Sequence, residues 1–458
     1  MRVSMVPRNH GSRALLFSIL LGVALLALYA PVPAAGSSGT IQPSQSAVVA
    51  TIPLDVTDAF YPAYDGANGN VYVSGWVNPL ANGTEFVISG ATNQVLATAP
   101  VGWEPGPSSA DPYNGDVYVP NFDPTCGNCG SSFVQAPPTV SVISGSTNTA
   151  LSSVRTLGSP TGVAYDSRNG DLYVSDMDWG DGNGSLSVIS GVTNQVLVNI
   201  TMVGVQPSGA VFDGANGDIY VMDQDPNWGM AEPDHVTVVS GSTNTVVASI
   251  PLLGNTSGSV VLDPVNGDLY VGGTRGMLAI SSSTNSVVQS FAIPDASPQF
   301  VDPLGDVYAL GGGSAGNAYV ISGASNSIIS TFSIGNAEYM TFDPVIGDIY
   351  TTAWGSDFLN VTSIASSKLV QSLDLGAGEF LASAPVYDPG NGNLYMVQGG
   401  SWTNVVVISP NGPLTGSSAA GSINPWLSAG IGVGIGVLAT AGVVVLFRRR
   451  ERTAGKPT

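Results

Sequence analysis

Histidine is almost missing from this 458-residue chain: there are two, and His10 belongs to a basic and apolar N-terminal stretch. A Ser-His-Asp triad, a His-ligated haem or a three-His metal site cannot be built around the remaining His235 unless other groups stand in. Cysteine is as scarce. Cys126 and Cys129 are the only pair, separated by Gly-Asn in a Pro/Gly loop. Zinc would need two more ligands that nothing nearby suggests, and a redox pair of this spacing normally opens a helix. In an extracellular setting the pair is expected to close as a local disulfide.

Basic residues are the third shortage. Between Gly36 and Ser422 only Arg155, Arg168, Arg275 and Lys368 occur, against 31 acidic residues, a net charge of −27. Such a surface repels nucleic acid and excludes it as a partner. Charged residues make up only 10% of the chain, whereas Gly numbers 58 and Pro 31. That balance suits short strands joined by tight turns and does not suit a helical protein.

The other eight basic residues flank two apolar segments. Ala14–Ala30 follows Arg2, Arg8 and Arg13 and ends in small residues, the pattern of a signal peptide, with cleavage expected near Ala35. Trp426–Phe447 is 22 residues without a charge, followed by Arg448-Arg-Arg-Glu-Arg452. That length spans a bilayer, and the basic cluster holds the tail inside. The expected order is a signal peptide at 1–35, a linker at 36–47, a repeat domain at 48–409, a linker at 410–425, a transmembrane helix at 426–447 and a basic tail at 448–458. This predicts a single-pass membrane protein with its repeat domain outside the cell.

What is abundant is self-similarity. Asp65-Gly-Ala-Asn-Gly-Asn-Val-Tyr72 recurs as Asp111–Tyr118, Asp166–Tyr173, Asp213–Tyr220, Asp263–Tyr270, Asp343–Tyr350 and Asp388–Tyr395, with a shorter version at Asp302–Tyr308. A second motif follows in most copies, as in Val142-Ile-Ser-Gly-Ser-Thr-Asn148, and then an apolar run such as Val246-Val-Ala-Ser-Ile250. The Asp can accept backbone N–H groups as an Asx turn, and Asn-Gly tolerates positive φ. Strands such as Leu172-Tyr-Val174 are apolar on both faces, as a sheet covered on both sides requires. Each unit therefore carries four strands, the signature of a propeller blade. The fold class is all-β: one β-propeller of eight four-stranded blades, with seven as the alternative. The last unit lacks a fourth strand, and Val48-Val-Ala-Thr-Ile52 matches one, so the N-terminal strand is expected to close the ring.

Val71-Tyr-Val-Ser-Gly75, Val117-Tyr-Val-Pro-Asn121, Leu172-Tyr-Val-Ser-Asp176 and Ile219-Tyr-Val-Met-Asp223 resemble the YVTN repeat. Gly158-Ser-Pro-Thr-Gly162 and Gly204-Val-Gln-Pro-Ser-Gly209 are similar to that family's crossover before the innermost strand. The resemblance covers residues 48–409 and implies a propeller of the kind found on archaeal and bacterial surface proteins. It departs in having eight copies where seven are usual.

The inner strands are nearly devoid of charge, which argues against chemistry centred on the channel. The side that carries the crossovers holds the long links between second and third strands, with Trp76, Trp103, Trp179 and Trp228 as candidate anchors for an extracellular protein or glycan. On the same side, Asp176, Asp178, Asp181 and Asn183 in one unit, and Asp223, Asp225 and Asn227 in the next, alternate carboxylates and amides that could supply oxygens to Ca2+. No other cofactor is suggested. Asn82, Asn183, Asn199, Asn255 and Asn360 head glycosylation sequons. The expected function is a membrane-anchored cell-surface scaffold for binding, adhesion or a surface layer. The competing expectation is an extracellular propeller enzyme, either a Ca-dependent hydrolase or lactonase or a cofactor-bound oxidoreductase.

Overall fold

The computed structural model describes residues 45–412 apart from the segments 60–61, 78–81, 113, 123–136, 179–182, 203, 205, 225–233, 253, 313–315, 336, 354–355, 377–379, 382 and 400–402. Every regular element among the described residues is a β-strand, and these form eight antiparallel sheets. Blades one to eight are identified by their second strands: Asn70–Trp76, Asp116–Asn121, Asp171–Met177, Asp218–Gln224, Asp268–Gly273, Asp306–Gly311, Asp348–Thr352 and Asn393–Gly399. The eight-bladed reading therefore holds over the seven-bladed one. Blade three shows the plan. Ser159–Asp166, Asp171–Met177, Ser185–Ser190 and Val196–Thr201 lie side by side in chain order, from innermost to outermost.

Blade eight is completed as the repeat count demands. Ala47–Leu54 pairs antiparallel with Thr403–Ser409, from Ala47 opposite Ser409 to Leu54 opposite Thr403. Ile52 and Leu54 enter a core shared by the last and first blades, with Val405 and Val407 on one side and Val71, Val73 and Phe86 on the other. Side chains of this kind stabilise by about 1.5–3 kcal/mol each when removed from water.

The two-faced apolar strands are explained by their neighbours. Tyr173 packs with Phe212, Ile219 and Val221 of blade four, whereas Leu172 and Val174 pack with Tyr118, Val140 and Val142 of blade two. Alternation along a strand sends successive side chains to opposite faces, and here each face meets a different sheet.

The motif residues form a latch across six of the eight seams. Asn68 donates from Nδ2 to the Tyr72 hydroxyl and to the Gly145 carbonyl of blade two. Tyr72 in turn donates to Oδ1 of Asn148 in blade two, 3.1 Å away. The same Tyr-to-Asn bond links Tyr118 to Asn194, Tyr173 to Asn244, Tyr220 to Asn285 and Tyr270 to Asn326. All these acceptor Asn residues are left-handed, with φ of 48–56°. Asn tolerates that conformation better than most side chains.

Two seams differ. Blade eight has no hairpin between its third and fourth strands, and there Tyr350 meets Ser46 Oγ, just before the closing strand, at 2.9 Å. Gln371 of blade seven fixes the same residue by bonds to its N–H and carbonyl. Between blades six and seven the turn ends in Ser367, not Asn, and Tyr308 bonds to Asp302 of its own blade instead. Phe300, Tyr308 and Phe342 stack across this seam, with centroids 4.7 Å apart for Phe300–Tyr308 and 5.5 Å for Phe300–Phe342.

Candidate functional site

The long-link side of the ring is built on polar groups at the ends of second strands. In blades two, three and four these are Asn121, Asp176 and Asp223, all buried. Asn121 donates to Thr139 and to Ser141 Oγ. Asp176 accepts hydrogen bonds from Ser187 Oγ and Ser185 Oγ. Asp223 accepts from the Gly204 N–H at 2.7 Å and from Thr237 Oγ1 at 3.1 Å. Each residue thus ties its third strand or crossover to its second strand. The crossover glycines allow the approach: a Cβ on Gly102 would lie 2.6 Å from Asn121 Cγ, and one on Gly204 would overlap the Asp223 carboxylate.

The calcium expectation sets Asp176 beside Asp178, Asp181 and Asn183, and Asp223 beside Asp225 and Asn227. A loop ligand must present its oxygens to the ion; both carboxylates are buried, and Oδ2 of each accepts hydrogen bonds from the third strand or the crossover. Asp178 is half-buried, and Asn183 is exposed with its amide on the Met202 carbonyl. Asp181, Asp225 and Asn227 lie outside the described residues. Among the described residues no three His, Cys, Asp or Glu side chains form a group that could hold a metal ion.

The tryptophans need a correction too. Trp76 and Trp103 are buried, at 4% and 7% exposure, so neither presents a ring to a partner. Trp76 pairs with Asp58 beside the inner strand, and Trp103 ends a ten-residue outer strand opposite Asn82. Trp179, Trp228 and the Cys126–Cys129 pair lie outside the described residues. His235 opens the third strand of blade four, opposite Asp223. Of the sequon residues, Asn82, Asn183 and Asn199 are exposed, whereas Asn255 and Asn360 are half-buried. Asn360 Oδ1 also accepts from Ser372 Oγ at 2.7 Å.

A group that the sequence motifs did not mark is Glu85. It is fully buried near the start of the third strand of blade one. Counting from the Ser that ends each third strand, the matching residues in the other blades are Val140, Leu186, Val236, Met277, Ala318, Leu359 and Val405. All seven are apolar, so blade one alone carries an acid in this core position. Ser74 Oγ donates to Oε2 at 2.5 Å, and Ser108 Oγ, from the neighbouring blade, donates to Oε1 at 2.6 Å. Burial pushes the Glu85 carboxyl up to about 7, against the opposing pull of the two hydroxyls. Burial likewise pushes Asp176 up to about 8. Both side chains are sealed from solvent.

The opposite side carries the Asx turns. Asp65, Asp166, Asp213, Asp263, Asp302, Asp343 and Asp388 each accept, at Oδ1, the N–H of the residue two positions on. The second oxygens of Asp65, Asp213 and Asp263 are buried without a hydrogen-bond partner. Burial raises Asp65 and Asp343 to about 6.

No family model matches the chain, and no curated protein matches it. Among solved structures it is similar to a chain of Kuenenia stuttgartiensis hydrazine synthase, with 13% identity over 77% of this chain and 96% of that one, and a TM-score of 0.49. Among the described residues no helix is long and apolar enough to cross a membrane, and the segment 426–447 lies outside them.

Proposed function

We propose that this chain is a YVTN-like propeller displayed outside the cell, anchored by the segment 426–447, and that it acts as a surface scaffold or binding module. Its recognition elements are the long links of blades one to four, with Trp179 and Trp228 as the anchors that remain candidates. Its partner is an extracellular protein or glycan.

The observation that carries this reading is where the described chain begins and ends. The Gln45 carbonyl lies 3.0 Å from the position a Cβ on Gly412 would take, and Ser46 Oγ donates to the Pro410 carbonyl. Both flanks therefore leave blade eight together, beside the turn that ends its third strand. That is the side of the short repeat turns. On the anchored reading, a tether attached on this side would have the long links on the other side of the ring. Variable loops on a rigid frame, aimed outward, suit recognition.

Protease treatment of intact cells expressing the full chain tests the topology. Release of a soluble propeller fragment is expected, and a chain found wholly in the cytosolic fraction would refute the reading. A glycan and protein array probed with the full chain in detergent then identifies the ligand class.

A further inference from the structure

We infer that the outer strands carry a circumferential apolar belt through which copies of this chain associate side by side. Each blade has a register shift near the start of its fourth strand, where one residue is left without a partner on the third strand, and blade one has a second shift between Asn82 and Thr84. The extra residue is apolar in every blade. It is Leu96, Leu151, Leu197, Val247, Val288 and Ile329 in blades one to six, and these are 49–55% exposed. Val370 and Val49 take the position in blades seven and eight and are half-buried. A bulge re-aims the side chain it carries. Eight bulges at one height make a band of aliphatic groups around the ring.

Edge strands are commonly guarded by charges. Here the eight outer strands contain only Arg155, Lys368 and Asp374, all at strand ends. In five of blades one to six the belt residue adjoins a second exposed aliphatic, Val95, Val198, Val246, Val287 or Ile328. The occupant that fits is a second copy. The domain carries a net charge of −27, so two copies repel one another wherever their turns and loops face, and the uncharged belt is the zone where they can meet. A cationic partner would go instead to the acidic turns. The repetition offers an exposed belt residue on six consecutive blades, one to six. This rests on the anchored reading, under which tethered copies share one membrane plane.

The full chain, labelled with donor and acceptor dyes, is reconstituted into vesicles at rising surface density. Energy transfer is expected to climb above the random-encounter curve. A six-site variant, with Leu96, Leu151, Leu197, Val247, Val288 and Ile329 each changed to Thr, should need at least tenfold higher density for the same transfer. Thermal melting checks that it is folded; if it is not, the single variants Leu96→Thr and Ile329→Thr are compared for smaller, additive losses. Raising salt should strengthen association, because screening removes repulsion and leaves apolar contact. Random-encounter transfer by the native chain, or equal association by folded variants, overturns the inference. A chain that fails to float with vesicles refutes the anchor instead. The belt is then judged by sedimentation of the detergent-solubilised chain, with concentration-dependent association that the variant loses as the expected result and monomers throughout as the refuting one.

Discussion

The Tyr395 hydroxyl in the last blade donates to Oδ1 of Asn93 in the first, 2.5 Å away, across 302 residues of sequence. The bond repeats the seam chemistry of the interior blades at the one seam the chain does not cross directly. Asn391 supports it by donating to the same hydroxyl and to the Gly90 carbonyl. The ring is therefore closed twice, by the borrowed strand Ala47–Leu54 and by this latch.

Removing the closing strand should be far worse than removing one latch. Deletion of residues 45–54 strips Ile52 and Leu54 from the shared core and exposes the edge of Thr403–Ser409. A large fall in melting temperature with aggregation is expected. A truncated chain that melts like the intact one would end the closure argument. Tyr118→Phe should cost about 1–2 kcal/mol, the usual net value of one or two hydrogen bonds, because it loses the bonds to Asn194 and from Asn114 and little packing. Urea denaturation of that variant provides the number.

The seam between blades six and seven should open first. Tyr308 turns to Asp302 in its own blade, so no Tyr–Asn bond crosses to the turn at Ser367. Hydrogen exchange in Asp306–Gly311 is expected to be faster than in the matching strand Asp268–Gly273. Restoring the acceptor with Ser367→Asn should slow it. Equal protection in both strands of the native chain would show that the aromatic stack compensates fully.

Stability should fall as pH rises through neutrality. Glu85 is held above its ordinary value of 4.5, at about 7, so the folded state binds the proton more tightly than the unfolded chain. The contribution is full below pH 4.5 and is lost as pH climbs to about 7, at most about 3 kcal/mol for one buried group. Asp176 extends the same trend to about pH 8. Glu85→Gln should flatten the dependence between pH 4.5 and 7. Glu85→Leu, which copies Leu186 of blade three, should do the same. A pH-melting profile unchanged by either substitution would remove Glu85 from the account.

Two kinds of glycine should respond differently to alanine. Gly170 has φ of +78° and nothing within 4 Å of a Cβ, so Gly170→Ala meets only backbone strain, about 1 kcal/mol. Gly145 is not left-handed, but a Cβ there would overlap the Gly115 carbonyl of its own blade and crowd Asn68 and Asp65 of blade one. Gly145→Ala should therefore destabilise by well over ~2 kcal/mol, because backbone cannot step aside. Chemical denaturation of the two variants separates these mechanisms.

The blade count and the closing strand were legible because Asp, Asn-Gly and Tyr recur at fixed offsets. The reason for the recurrence was not. Turn chemistry accounts for Asp166 and Gly170 locally, yet Asn169 and Tyr173 are fixed by the Gly241 carbonyl and Asn244 of the next blade. A contact about 70 residues away leaves no local pattern. Asp176 and Asp223 read as loop ligands because they end a strand, whereas their burial and their bonds to Ser187 and the Gly204 N–H come from the packed third strand and crossover. Trp103 misled for a related reason: the outer strand of blade one runs on to include it. Glu85 could have been found by aligning the third strands, where it breaks a column of apolar residues.

The borrowed strand also sets an order of events in time. Ala47–Leu54 emerges from the ribosome before any blade, but its partner Thr403–Ser409 follows some 350 residues later. At ~5–20 residues per second that is a wait of roughly 20–70 s. Throughout that interval Ile52 and Leu54 have no sheet to enter and the first blade has no neighbour on one side. The nascent ring is an open arc with two adhesive ends, one of them a free strand. Neighbouring chains made from one message could exchange these strands before either arc closes. Keeping nascent copies apart is thus a requirement of this topology that no property of the finished ring reveals.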